Sequence, residues 1–79
     1  MIAARVRLTF PPELVREAVI GQLVRRFDVM PNIRRADVSE DMGWIVCELD
    51  GDAEAVTAAI TWMEELGVSV DHLEHPLES

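Results

Sequence analysis

A single cysteine, Cys47, occurs among the 79 residues, and lysine and tyrosine are absent. One cysteine excludes an internal disulfide and any zinc or iron–sulfur site built only from thiolates. Long apolar runs are also absent, so the sequence predicts neither a membrane span nor a signal peptide. We therefore expect a cytoplasmic protein with no membrane insertion.

The short chain leaves room for one domain with a thin core. A core of this size seldom contributes more than about 3–5 kcal/mol, so small domains are usually supplemented by disulfides, a metal or oligomerisation. With disulfides and metal sites built only from cysteine excluded, oligomerisation is the remaining supplement. We expect a homodimer.

Basic residues are missing from the second half of the chain. Residues 1–35 hold all seven arginines and three acids, whereas residues 36–79 hold twelve acids and no base, so the two parts carry charges of +4 and −12. The net charge of −8 opposes binding to the phosphates of nucleic acid. The uneven distribution has two interpretations. Either the halves interleave and neutralise each other across strands, or the arginines line a surface for an anionic or carboxylate group.

No catalytic arrangement can be assembled from these residues. Cys47 lies two positions from both Ile45 and Leu49, so the three side chains point to the same side of an extended strand. This placement predicts a thiol that faces the core and is inert. His72 and His75 are three residues apart, but their segment resembles a strand and a tail rather than a helix face, so we expect no metal site. No nucleophile is predicted near either histidine. The sequence favours a binding module without a cofactor over an enzyme.

Hydrophobic periodicity predicts four strands and two helices. Strict alternation over residues 2–10 indicates a half-buried strand that Pro11 and Pro12 end. Apolar residues at spacings of three and four then predict a helix over 12–27, with Pro12 in its first turn. The remaining elements are, in chain order, a strand over 32–38, a strand over 44–49, a helix over 53–66 and a strand over 68–73. Asp50-Gly51-Asp52 is predicted to supply a turn and the N-cap of the second helix, and Gly67 follows the end of that helix.

The order βαββαβ predicts an α+β, ferredoxin-like fold. Its four-stranded antiparallel sheet has the order 4-1-3-2, and both helices lie on one face. The domain is expected to span residues 1–73, followed by a mobile tail over 74–79. In a regular strand, Ile33 and Ala36 would point to opposite sides of the sheet, because they are three positions apart. This mismatch between two apolar residues predicts a β-bulge near Arg34 and Arg35.

The second face of the predicted sheet carries no helix. In the predicted arrangement, Arg5 and Arg7 of the first strand lie between acids of the third and fourth strands, which supports the interleaving interpretation. Trp44 and Val46 on this otherwise polar face need cover, which a second copy of the domain would supply. The side chains placed on this face are Arg5, Arg7, Thr9, Trp44, Val46, Glu48, Ser69 and Asp71.

Segments of nearly the whole chain match, in order, those of a known family. They are Arg7-Leu8-Thr9-Phe10 at the end of the first strand, Asn32-Ile33-Arg34 at the start of the second, residues 43–51 across the third, and Ala59-Ile60 leading to Leu66-Gly67-Val68. Through these segments the chain resembles a NIL domain, which is named for an Asn-Ile-Leu signature. Asn32 and Ile33 match the signature, and Arg34 stands in place of its leucine.

The resemblance implies a domain that binds methionine and regulates methionine-importer ATPases, or one that accompanies iron–sulfur ferredoxin modules in sulfur amino-acid metabolism, commonly as a dimer. Neither a nucleotide-binding motif nor cluster-binding cysteines occur here, so the implied version is free-standing. It places a small amino-acid ligand near Asn32 and Ile33, with Arg34 or Arg35 beside them to pair with its carboxylate. The alternative is a protein–protein adaptor for sulfur-assimilation enzymes or an electron-transfer partner, with no small ligand of its own. A transporter protein partner would favour the ligand-binding version, and a sulfur-metabolism partner would favour the adaptor.

Overall fold

The computed structural model describes residues 1–38 and 43–73. Its elements are β1 (Ile2–Phe10), α1 (Arg16–Phe27), β2 (Met30–Val38), β3 (Gly43–Gly51), α2 (Ala53–Leu66) and β4 (Ser69–His72). The strands form one antiparallel sheet in the order β2-β3-β1-β4, which is the predicted order read from the other edge. The predicted ferredoxin-like α+β fold is confirmed. The tail predicted over 74–79 lies outside the described residues.

The first helix begins four residues later than predicted. The backbone N–H of Leu14 donates to the carbonyl of Pro11 at 3.0 Å, which closes a separate turn, and Pro12 belongs to that turn rather than to the helix. The N-cap residue is Val15, whose apolar side chain cannot accept a hydrogen bond from the first-turn N–H groups. Arg16 is therefore the first helical residue.

The second helix has the predicted limits. Asp52 occupies the N-cap position, but its side chain makes no capping hydrogen bond, so the predicted cap is present only as backbone geometry. Its carbonyl accepts from the N–H of Val56 at 2.9 Å. Gly67 ends the helix at a φ of 111°, a left-handed conformation that residues with a Cβ rarely adopt, as predicted.

The second strand contains the predicted bulge. Ile33 pairs with Cys47 and Arg35 pairs with Val46, so Arg34 is the extra residue. The extra residue returns the apolar side chains after it to the helix side of the sheet. β2 and β3 are both longer than predicted, and β4 is shorter.

The core lies between the helices and one face of the sheet. Cys47 is fully buried there, as predicted, and burial followed by the nearby charge of Glu48 raises the pKa of its thiol to about 11. Such a thiol is not ionised at neutral pH and behaves as an apolar side chain. The buried apolar residues are Val6, Leu8, Phe10, Val19, Leu23, Val29, Ile45, Cys47, Leu49, Val56, Ala59, Met63 and Val68.

Neither of the two described helices is both long and apolar enough to cross a bilayer.

Candidate functional site

The structure divides the four residues predicted to bind a ligand between the two faces of β2. Ile33 lies opposite the buried Cys47 and therefore on the helix side. Asn32, Arg34 and Arg35 lie on the face without helices, which we call the open face. A ligand that contacts Ile33 directly does not reach the other three side chains from the same side of the sheet.

Glu48 is the centre of an ionic network on the open face. Its carboxylate accepts a hydrogen bond from Arg5 of β1 at 2.7 Å and another from Arg34 of β2 at 2.9 Å. These two hydrogen bonds hold the pKa of Glu48 below its ordinary value of 4.5. The Glu48 side chain is 19% exposed and joins three strands. The charge of Arg34 is thus already balanced within the domain.

Two further polar side chains of the open face pair with acids on neighbouring strands. Asn32 donates from its Nδ2 to a carboxylate oxygen of Asp50. Arg7 forms an ion pair with Asp71 across β1 and β4, with 3.6 Å between nitrogen and oxygen. The interpretation that basic and acidic halves neutralise each other across strands is confirmed for these pairs. Arg35 is exposed and forms no ion pair within residues 1–38 and 43–73.

An apolar groove lies on the other side of the sheet, between α1 and the edge strand β2. Its volume is about 370 Å³, toward the lower end of the range typical of small-molecule sites. Ile33 contributes to the wall and is 54% exposed. Apart from its chain neighbours and the backbone of its own helix, no heavy atom lies within 4 Å of where a Cβ of Gly21 would be, so the groove is open at that helix position. The lining residues are Arg16, Glu17, Ile20, Gly21, Ile33, Ala36 and Ile45.

The first turn of α1 places two opposite charges beside these apolar walls. The Nη2 of Arg16 lies 3.2 Å from a carboxylate oxygen of Glu17. The Nη1 of Arg16 is buried and has no hydrogen-bond partner among the described residues. A hydrogen bond from Glu17's own backbone N–H, followed by the bond from Arg16, keeps the pKa of the Glu17 carboxyl below its ordinary value of 4.5. The Glu17 carboxyl is therefore ionised at neutral pH.

Arg16 was not among the residues that the sequence singled out. Ile20 lies four positions after it, so the two side chains project from the same side of α1 and reach the same groove. That spacing is the signal that would have found Arg16. Arg16 lines a groove only because β2 packs beside this side of α1, and no pattern among neighbouring residues predicts that packing.

Metal binding has no support in the described part of the chain. No group of three or more histidine, cysteine, aspartate or glutamate side chains there could hold a metal ion. His72 is exposed on β4, and His75 lies outside the described residues.

Two solved structures share the fold. One is the C-terminal domain of an ABC transporter ATP-binding protein from Enterococcus faecalis, with 22% identity and a TM-score of 0.78 over 91% of this chain and 84% of that one. The other is the ACT domain from GTP pyrophosphokinase of Chlorobium tepidum, with 16% identity and a TM-score of 0.64 over 91% of this chain and 97% of that one. A comparison with curated protein sequences gives no match.

The family model of the NIL domain matches residues 4–72. The matched range contains α1, β2, β3, α2 and β4 in full, so it covers both the ionic network of the open face and the groove. It also contains Asn32 and Ile33, where the signature was recognised. This chain belongs to the NIL domain family.

Proposed function

We propose that this NIL domain is a non-catalytic regulatory module that binds methionine or a related sulfur amino acid in the groove between α1 and β2. The observation that carries the proposal is the position of Ile33, a signature residue that forms part of an apolar wall beside a cavity of about 370 Å³. A thioether side chain is flexible and polarisable, and it adapts well to an irregular apolar surface.

The likeness to the C-terminal domain of an ABC transporter ATP-binding protein supports a transporter as a protein partner and a cytoplasmic location. The ACT domain of a pyrophosphokinase is a second case of this fold within a larger protein. Both support a regulatory rather than a catalytic role, in which ligand binding to the small domain is communicated to a partner.

The predicted ligand residues enter this proposal in two roles. Ile33 contacts the apolar part of the ligand. Asn32 and Arg34 act on the opposite face as positioning residues, because their bonds to Asp50 and Glu48 hold the bulged strand that carries Ile33. Arg35 follows the bulge and lies on the open face, so it does not contact a ligand in the groove.

Isothermal titration with methionine, homocysteine and cysteine tests the proposal. We expect binding of at least methionine, and we expect Ile33→Ala to weaken it about tenfold through lost apolar contact. Met30→Ala is the matched control, because Met30 is similarly exposed, at 57%, but lies on the open face of the same strand. No heat from any of the three amino acids at millimolar concentration would remove this proposal.

A second candidate function is that of a protein–protein adaptor in sulfur assimilation or electron transfer. The observation that favours it is the acidic surface of α2, which has no basic residue, and whose exposed acids include Glu54, Glu64 and Glu65. Such a surface complements a basic partner. A pull-down from native extract that recovers a partner in low salt and loses it in high salt would support the adaptor. Recovery of the domain alone would count against it.

The proposed module is a homodimer. Trp44 and Val46 are only partly buried on the open face, and the sheet ends in two edges, β2 and β4. Unpaired edges invite pairing with another chain unless they are protected. A two-fold dimer would close such contacts on themselves.

A further inference from the structure

We propose that a partner protein docks a basic amphipathic helix where α2 ends and the turn before α1 begins. Val15 and Leu66 are the apolar anchors of this surface, and the exposed Glu13, Glu64 and Glu65 are its acidic rim. We call these five residues the helix-end surface. The proposal rests on the second candidate function only for the basic charge of the partner. It adds the place of contact, the apolar anchors and the form of the partner, and it needs no small ligand.

Strand pairing and packing bring the two parts of the helix-end surface together. Thr9, near the end of β1, pairs with Ser69 at the start of β4, so the segments after Thr9 and before Ser69 lie at the same end of the sheet. The Cδ1 of Leu14 lies 4.0 Å from where a Cβ of Gly67 would be. The turn before α1 is therefore next to the end of α2.

The apolar anchors are exposed where a polar residue would serve the isolated domain better. Val15 is 62% exposed and Leu66 is 41% exposed. Val15 also stands at the N-cap of α1, where its side chain cannot accept a hydrogen bond from the first-turn N–H groups. A serine there would cap the helix and remove exposed apolar surface. The fold of the domain therefore gains nothing from a valine at this position, whereas a docked apolar side chain would cover it.

The acids of the helix-end surface lie at the unfavourable end of their helix. Glu64 and Glu65 belong to the last turn of α2, which has no basic residue, and the carbonyl end of a helix carries partial negative charge. Neither carboxylate forms an ion pair within residues 1–38 and 43–73. The first helix has the opposite arrangement, with Arg25 and Arg26 in its last turn. A cation from a partner would offset both carboxylates and the end of α2.

These features together define the chemistry of the partner. Lysine or arginine side chains complement the acidic rim, and apolar side chains beside them cover Val15 and Leu66. A helix presents both kinds of side chain on one face at spacings of three and four residues. The same acids repel an anionic membrane surface. Departures from helix-stabilising rules are typical of functional sites, and here two of them meet at one end of the domain.

The other acidic end of the helix layer fits such a partner less well. A cavity of about 230 Å³ near the end of α1 is bordered by aspartates that include Asp28 and Asp50. Asp50 already accepts a hydrogen bond from Asn32, and Arg25 and Arg26 precede Asp28 in the last turn of α1. Charges at that end are balanced within the domain, unlike those of Glu64 and Glu65.

Labelled synthetic peptides test the proposal on the unaltered protein by fluorescence anisotropy. The probe is an amphipathic helix of leucine and lysine. One control peptide has glutamate in place of lysine, and the other has the composition of the probe in a scrambled order without an apolar face. We expect micromolar binding of the probe that weakens with salt, and much weaker binding of both controls. Equal binding of probe and scrambled peptide, or no binding of the probe at submillimolar concentration, would overturn the proposal.

Charge variants at the two ends of α2 locate the contact. The double variant Glu64→Gln, Glu65→Gln should bind the probe about 5-fold more weakly, the effect of losing two exposed ion pairs. The double variant Asp52→Asn, Glu54→Gln is the matched control, because it removes the same exposed charge at the other end of α2. It should change the affinity far less. Equal weakening would indicate attraction to the net charge alone and would overturn the helix-end surface.

Val15→Ser separates a docking role from a folding role. Serine can cap α1, so the variant should unfold at a higher urea concentration than the unaltered protein. It should nevertheless bind the probe about 5- to 10-fold more weakly, because an apolar anchor is lost. Val24→Ser is the control, because Val24 is also exposed, at 40%, but lies in the second half of α1. Full affinity in Val15→Ser would overturn the assignment of this anchor.

The outcomes separate this inference from the proposed functions. The peptide experiments contain no amino acid, so absence of methionine binding would remove the first function and leave the helix-end surface intact. A basic partner that is recovered from extract and still binds Val15→Ser and the variant of Glu64 and Glu65 would keep the adaptor function and overturn this surface. Self-association that Val15→Ser abolishes would make a second copy the occupant and overturn the partner helix.

Discussion

The arginines that contact Glu48 on the open face differ from Arg16, beside the groove, in how fully their guanidinium groups are paired. On the open face, Arg5 and Arg34 share the carboxylate of Glu48. On the helix side, one buried nitrogen of Arg16, beside an apolar groove, has no hydrogen-bond partner within residues 1–38 and 43–73. The number of arginines near a strand is therefore a poor guide to anion binding, whereas the pairing state of each guanidinium is informative.

The same contrast holds for the apolar residues. The helix side buries the apolar side chains in the middle of β1 and β3 completely, so substitutions of those side chains should change stability. The open face leaves Trp44 and Val46 partly exposed among paired charges, so substitutions there should change association more than folding. Four substitutions test this division, from the largest expected effect to the smallest.

Leu8→Ala should have the largest effect on stability. Leu8 is fully buried on β1, and truncation of such a side chain typically costs about 2–5 kcal/mol, enough to unfold much of a domain with so small a core. Urea unfolding followed by far-UV circular dichroism measures the loss. Thr9→Ala changes the next residue on the open side and should cost far less. Equal losses for the two variants would break the distinction between the faces.

Trp44→Ala should weaken self-association. A tryptophan at the centre of an interface commonly contributes about 2 kcal/mol or more, on the order of 30-fold in the dimer Kd. Sedimentation or light scattering over a range of concentrations measures it. Trp62→Ala is the control, because Trp62 packs against residues of its own subunit. The centroid of its ring lies 5.3 Å from that of Phe27 and 5.6 Å from the Cζ of Arg26. A species of about 9 kDa at micromolar concentration in the unaltered protein would contradict the dimer.

Asn32→Ala should have a moderate effect on stability. It removes the hydrogen bond from Asn32 to Asp50, and a loss of about 1 kcal/mol is typical for such a bond. The urea midpoint measures the loss, and Met30→Ala on the same face of β2 is the control. Ligand affinity should fall only to the extent that β2 becomes less well held. A loss of ligand binding as large as that of Ile33→Ala, without a change in stability, would place Asn32 in direct contact with the ligand.

Glu48→Gln should have the smallest effect at neutral pH, since glutamine keeps an acceptor oxygen and solvent screens the ion pairs. Its pH dependence is more informative. The pKa of Glu48 is lower in the folded state than its ordinary value of 4.5, so its stabilising contribution is present above that pH and is lost as the pH falls through the folded pKa. The difference in urea midpoint between the unaltered protein and Glu48→Gln should therefore shrink below about pH 4.5. A constant difference would mean that Glu48 acts through packing rather than charge.

Much of the candidate site could not be predicted because its parts come from elements far apart in the chain. Ile33 was predicted from the signature, and its side of the sheet follows from strand parity and the bulge. Arg34 was expected to bind the carboxylate of a ligand. In the structure it donates instead to the carboxylate of Glu48, which lies on the neighbouring strand. Arg16 was overlooked because the predicted helix began too early and because its groove exists only where α1 packs beside β2.

By itself the sequence determined the order of the strands and helices, the bulge in β2 and the buried state of Cys47, because alternation, helical spacing and turn chemistry are properties of neighbouring residues. The tertiary structure decided which charges neutralise each other, and it left the Nη1 of Arg16 without a hydrogen-bond partner among the described residues. Arg5 meets Glu48 across 43 positions of sequence, and Arg16 reaches the wall formed by Ile33 only after the sheet has assembled. Pairing across strands and grooves between elements depend on distances that no local pattern contains.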